Sequence, residues 1–240
     1  MVKTLTHLKK AIAQKQNPQK AVVLQRFFKT GKGQYAEGDI FYGLTVPESR
    51  VLAKQFVDIA LEEMLQLLHS KIHEERLIAL FLLVEKFQTG DASQKKKVVD
   101  AYLDSTAWIN NWDLVDTSAY KILGEYLLDK ETKILTRLAT SQDLWEKRIG
   151  IVSTFAFIRK GRLDETFRLA KVLMKDNHDL IHKAVGWMLR EAGKRDIVPL
   201  QIFLEEYAAV MPRTMLRYAI EKMSPNEKTY YLKKKEYVRD

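Results

Sequence analysis

Trp112 and Asp116 stand four residues apart in the run WDLVD. On an α-helix that spacing puts an indole and a carboxylate about 40° apart, on one side. Blocks of this character recur along the chain. They open at Arg76 (RLIALFLL), Trp112 (WDLVDTSA), Arg148 (RIGIVSTF), Lys183 (KAVGWMLR) and Arg217 (RYAIEKM), in steps of 36, 36, 35 and 34 residues. First and fifth positions of the register hold Arg76/Leu80, Trp112/Asp116, Arg148/Val152, Lys183/Trp187 and Arg217/Glu221. Stacked helices would present these as a row of cationic, aromatic and acidic groups, a mixture from which no core face is built. Asp116 sits in the second turn of an otherwise apolar helix, where its propensity is poor and unpaired burial of its charge is costly. Structural readings stand beside this one: Asp113 as a cap, Asp116 bridged to Arg148 or Lys121, and Trp187 as an ordinary core residue.

The elements that must carry this register are helices. Apolar residues recur at three and four over 57–68, 72–87, 112–128, 145–159, 163–174, 180–191 and 198–207, the spacing of amphipathic helices. Thr89-Gly90-Asp91, Lys160-Gly161 and Met211-Pro212 read as stops, and Asp143, Asp164 and Asn177 as N-caps. Residues 30–39 (TGKGQYAEGD) form the one long loop-like stretch, and no segment alternates as a strand does. Helix pairs at a period near 35 describe an α-solenoid, in which each pair buries its apolar face against the next. The small-and-aromatic pattern of tetratricopeptide units is missing, which favours HEAT-like repeats. The expectation is one all-α domain over residues 1–240 with a concave groove lined by the inner helices.

Composition narrows the function. Of 240 residues, 46% are hydrophobic, enough for a packed core, and 40 Lys and Arg against 31 Asp and Glu leave a net charge of +9, which favours a polyanionic partner such as nucleic acid. The longest apolar run, 77–84, is far short of the roughly 20 residues a membrane span needs. The opening MVKTLTHLKKAIAQKQ has no apolar signal core, so a cytosolic protein is expected. Absence of cysteine removes thiolate metal sites and cysteine nucleophiles. His69/His73 and His178/His182 have i, i+4 spacing but no HExxH arrangement. They read as solvated or first-turn histidines, and neither a metal nor a cofactor is expected. Gly31-Lys32-Gly33 lacks the rest of a phosphate-binding loop, and no GxSxG occurs. The runs Lys95-Lys96-Lys97 and Lys233-Lys234-Lys235 read as solvated faces.

Longer blocks carry a resemblance. INNWDLVD (109–116), LWEKRIGIVSTF (144–155), IHKAVGWMLREAGKRD (181–196), IFYGLTVPESR (40–50) and MPRTMLRYAIEKM (211–223) resemble the AlkD-type family of DNA alkylation repair glycosylases. The resemblance runs from about the first helix to the end of the chain. It implies a HEAT-like solenoid wrapping duplex DNA in a basic concave face, and hydrolysis of the N-glycosidic bond of cationic N3- or N7-alkylated purines. The family's catalytic aspartate falls on Asp116, its cleft tryptophans on Trp112 and Trp187, and its backbone-contacting arginine on Arg148. Register and charge add Lys183 and Arg190 as DNA-binding residues. Where the family's best-known member has two adjacent tryptophans, this chain has Asn111-Trp112, with Trp108 one turn earlier.

The chemistry this implies is stabilisation of a cation. As the bond to an alkylated purine breaks, positive charge builds on the deoxyribose, and a carboxylate with indole faces can hold it. The resemblance implies a lesion left in or near the stack rather than flipped out. No lysine nucleophile is required, so a monofunctional glycosylase without strand cleavage is expected, acting as a monomer. Two other readings remain: a catalytically silent solenoid that binds unusual or branched DNA, and a protein-binding scaffold.

Overall fold

A computed structural model describes residues 3–234, so Lys235 of the C-terminal lysine run lies outside the described residues. Among those residues the chain is all-helical, with one isolated bridge between Ile40 and Ile72 and no strand, which is consistent with an α-solenoid. No described helix is long and apolar enough to cross a membrane. The chain divides into two compact units, residues 1–118 and 119–240.

The first unit holds α1 (Leu5–Ala13), α2 (Pro18–Phe27), α3 (Val46–Gln55), α4 (Leu61–Leu68), α5 (His73–Thr89), α6 (Ala92–Asp104), a 3-10 turn (Thr106–Trp108) and the start of α7 (Trp112–Ala119). The apolar run that is too short for a membrane becomes its centre. In α5 every side chain from His73 to Val84 is buried, because α3, α4 and α6 all pack against it. A helix apolar on all sides has to be enclosed on all sides. Its neighbours start at strong caps: Thr45 with Glu48 and Asp91 with Gln94 form reciprocal capping boxes. Gly43, at φ 88°, lets the 40–44 segment lie against the first turn of α2, where a Cβ would come within 2.1 Å of the Asn17 carbonyl oxygen. These short, polar-rich helices escape the apolar-spacing criterion, and α1, α2, α3 and α6 are additions to the sequence expectation.

The second unit continues through a π-helical turn (Tyr120–Gly124) to α8 (Lys133–Ala139), α9 (Leu144–Ser153), α10 (Phe155–Arg159), α11 (Asp164–Leu173), α12 (Asp179–Arg195), α13 (Ile197–Tyr207), α14 (Arg213–Ala219) and α15 (Pro225–Lys233). The single helix expected over 145–159 breaks at Thr154, whose hydroxyl donates to the Ile151 carbonyl at 2.7 Å. Asp143 caps α9 as expected, accepting from the amides of Trp145 and Glu146. For α12 the cap is His178 rather than Asn177, its Nδ1 accepting from Leu180 N. Leu163 takes the cap position expected of Asp164. Gly161 turns the chain after α10 at φ 76°.

α12 is the hub of this unit, meeting α9, α10, α11, α13 and α14. Its approach to α14 rests on Gly186, where a Cβ would come within 2.5 Å of both the Met215 carbonyl oxygen and the Tyr218 Cβ. Alanine is favoured over glycine in a helix by only about 1 kcal/mol, and crowding two backbones reverses that gain. Gly186→Ala is therefore expected to destabilise the protein by about 1–3 kcal/mol. A lower urea midpoint at unchanged slope is the expected reading; an unchanged or raised midpoint would contradict the close approach.

Candidate functional site

Trp112 opens α7, and its amide donates to Asn111 Oδ1 at 2.8 Å. Along the helix Trp112 and Asp116 are half-buried, whereas Asp113, Leu114 and Val115 between them are buried. The i, i+4 pair therefore shares the face of α7 that reaches solvent. Fully buried Tyr102, 3.0 Å from Ser118 Oγ, has its pKa raised chiefly by burial, with the Asp116 charge adding to the shift.

The indole is held on three sides. Its ring stacks on Phe28 (5.1 Å between centroids, 26°), meets Phe27 edge-on (5.8 Å, 73°), and its Nε1 donates to Tyr35 Oη at 3.2 Å. Behind Phe28, Phe41 (5.1 Å, 14°) and the imidazole of His73 (5.0 Å, 34°) both lie against it, and Phe41 lies on that imidazole (4.4 Å, 20°). Offset aromatic pairs of this kind each contribute roughly 0.5–1.5 kcal/mol beyond area burial. Trp108 takes no part in this stack and instead lies on His69, 5.2 Å away.

His73 anchors a buried charge network. Its Nε2 is 2.8 Å from Asp113 Oδ2 and its Nδ1 is 3.3 Å from Asp39 Oδ2. Arg76 donates to Asp39 Oδ2 at 2.7 Å and to the Ser70 carbonyl at 3.0 Å. Burial pulls the His73 pKa down, but the charge and hydrogen bond of Asp113 and the hydrogen bond of Asp39 outweigh burial and the opposing Arg76. They push it up to about 9. Burial would raise Asp39; its hydrogen bond from His73 and the Arg76 charge hold it below the ordinary value. Next to His73, Glu74 receives the amides of Tyr42, Gly43 and Leu44, with Gly43 N at 2.7 Å. His73 is thus a first-turn histidine but not a solvated one. None of these partners is legible from spacing, because Asp39 and Asp113 lie 34 and 40 residues from His73.

In the second unit Trp187 is half-buried on α12, with Phe155 6.1 Å away and Tyr120 edge-on to Phe155 at 5.1 Å. Lys183, one turn earlier, is 2.7 Å from Asp179. Arg190 donates to Glu191 (3.1 Å) and to Glu221. Arg148 is buried at 5% exposure, and its Nη1 donates to the Leu180 carbonyl at 2.7 Å. Arg76, Leu80 and Val152 are buried as well. The register is therefore a mixed row: it reaches the surface at Trp112/Asp116, Lys183/Trp187 and Arg217/Glu221, and turns into the core at Arg76/Leu80 and Arg148/Val152. A guanidinium enters the core where a carboxylate or helix-end carbonyl receives it.

Other candidates resolve into local structure. The amides of Gly31 and Gly33 donate to the side chains of Gln34 and Glu37. Lys96 pairs with Asp100, and Lys234 with Glu205. His182 Nε2 donates to the Asp176 carbonyl. Among the described residues no three His, Asp or Glu side chains gather as a metal site would require.

The sequence model of the DNA alkylation repair enzyme family matches residues 8–223. A solved structure described as a predicted DNA alkylation repair enzyme from Enterococcus faecalis aligns with a TM-score of 0.70 at 18% identity, covering 88% of this chain and 97% of the other. No curated protein matches significantly.

The sign of the His73 shift sets a pH dependence. A pKa raised from 6.5 to about 9 means that the folded state holds a proton the unfolded chain has lost. The stabilisation is complete below about pH 6.5 and fades as pH rises through 9. Over that window unfolding free energy is expected to fall by up to about 1.4 kcal/mol per pH unit. In His73→Gln this component should vanish; an equal slope in parent and variant would assign it elsewhere.

Proposed function

Because the chain belongs to the DNA alkylation repair enzyme family, we propose that it is a monofunctional DNA glycosylase releasing cationic N3- or N7-alkylated purines from duplex DNA. The observation that carries this reading is the shared solvent-reaching face of α7, where an indole fixed by stacking stands one turn from a carboxylate.

In the proposed reaction the alkylated purine leaves as a neutral base and positive charge develops on the deoxyribose. Asp116 faces that charge and orients the attacking water, and the indole faces of Trp112 and Trp187 line the sugar. At about 4 Å and an effective dielectric near 20, one charge pair amounts to roughly 4 kcal/mol. Expressed only in the transition state, it corresponds to about three decades of rate. The substrate's own charge makes the base a good leaving group, so the lesion need not be flipped out, and no lysine forms a Schiff base or cuts the strand. Lys183, Arg190 and Arg148 are the proposed DNA-binding residues. Arg148, bonded to the Leu180 carbonyl, would act through the first turn of α12, which carries Lys183. A HEAT-like solenoid acting as a cytosolic monomer completes the reading.

The test is release of 7-methylguanine or 3-methyladenine from methylated duplex DNA. Asp116→Asn is expected to lower release by roughly a hundred- to a thousandfold while DNA affinity stays near that of the parent. Release by the variant as fast as by the parent would overturn the role of Asp116. Tight binding of branched DNA with no release from any alkylated substrate would favour the catalytically silent binder. Lys183→Gln is expected to make the slope of log affinity against log salt shallower by about one phosphate contact. An unchanged slope would remove Lys183 from the interface.

A further inference from the structure

We propose that His73 is a positioning residue for the Trp112–Asp116 face, acting through two independent connections. The first runs through aromatic rings: His73 lies against both Phe41 and Phe28, and Phe28 stacks on Trp112. The second runs through the helix: His73 Nε2 holds Asp113 Oδ2 at 2.8 Å, and Asp113 is the second residue of α7. One imidazole thus fixes both the plane of the Trp112 indole and the rotation and height of the helix that carries Asp116. Three residues of helix separate Asp113 from Asp116, an axial rise of about 4.5 Å. A shift at Asp113 therefore passes to the Asp116 carboxylate almost undiminished.

His73 reaches no surface, being 1% exposed, so it touches no substrate. Its own orientation is set from the far side by Asp39 at Nδ1, and Arg76 holds Asp39 in turn. With both ring nitrogens engaged, the imidazole cannot rotate without breaking a buried bond. Glutamine can hold one of the two carboxylates but supplies neither the ring that stacks on Phe41 nor the second donor. Loss of either connection misplaces reacting groups by fractions of an ångström, enough to slow a reaction that depends on alignment. The effect belongs on the chemical step, because DNA binding uses other residues.

The proposal rests on the glycosylase reading for its rate measurement and on Trp112 alone for its spectroscopic one. His73→Gln is expected to lower kcat for base release by roughly ten- to a hundredfold, with KM and DNA affinity within about twofold of the parent. The Trp112 emission, isolated by subtracting the spectrum of Trp112→Phe in each background, is expected to shift. Asp39→Asn should act in the same direction more weakly, and the double variant should lose less than the product of the two losses, as members of one chain do. Leu8→Ala, a buried residue of α1 that the site does not use, serves as a control for lost stability alone. If His73→Gln does not fold, Asp113→Asn, which keeps a polar contact at Nε2, carries the same measurements. An unchanged kcat with an unchanged Trp112 emission would overturn the proposal, as would a loss matched by Leu8→Ala at equal melting temperature. A parent that releases no base overturns the glycosylase reading instead; the Trp112 emission still decides whether His73 positions the indole.

Discussion

The bond between His73 and Asp113 is what the first unit is arranged around, because a buried imidazolium is admissible only where carboxylates receive it. Asp39 and Asp113 carry two negative charges, His73 and Arg76 two positive ones, and the four are buried together. Such a set is neutral as a whole, yet removing one partner leaves an uncompensated charge in the core, at a cost of about 3–5 kcal/mol. The requirement ties together three stretches of chain remote in sequence: the end of the 30–39 loop, the first turn of α5 and the first turn of α7. Glu74 extends the tie by taking the amides of residues 42–44. The first turn of one helix thereby sets two loops and the helix bearing Trp112 and Asp116.

The second unit meets the same need, exact helix placement, by different means. There the inner helices approach through glycines: Gly150 against α8, Gly124 against the Ser153 carbonyl and Gly186 against α14. Dispersion between close backbones sets these approaches. Arg148 is buried there too, its guanidinium donating to the Leu180 carbonyl. Glycine contacts fix distance with little control of rotation. That fits a unit whose half-buried aromatic, Trp187, has a tilted neighbour at 6.1 Å rather than a tight stack.

The helical register was legible in the sequence because a period near 35 repeats local information. α5, α7, α9, α12 and α14 all open within four residues of a block start. Which members of the register face solvent was not legible. Arg76 and Arg148 look like surface cations beside Lys183 and Arg217, and acceptors such as the Asp39 carboxylate and the Leu180 carbonyl, supplied from 37 and 32 residues away, draw them inward. Asp113 and Asp116 present the same ambiguity within one turn. One closes a buried network and the other reaches the surface, although propensity treats them alike. The stretch IFYGL becomes intelligible only in three dimensions: Phe41 for the stack, Gly43 for its approach to Asn17 and amides for Glu74.

Charge compensation also bears on where affinity for DNA would come from. Lys183 and Arg190 both have carboxylates in place, Asp179 for the first and Glu191 and Glu221 for the second. A phosphate that takes either cation must compete with a partner already present, and the released carboxylate then repels the strand. Each such contact is worth less than one to an unpaired cation, and screening by salt weakens it further. If these two residues meet phosphate as proposed, their share of the affinity is small in spite of a net charge of +9. On the proposed chemistry that suits the task, since an alkylated purine adds the one positive charge in the duplex, and the Trp112–Asp116 face of α7 offers complementary groups. Discrimination then lies with the lesion's charge at Asp116 rather than with the strength of the grip on phosphate.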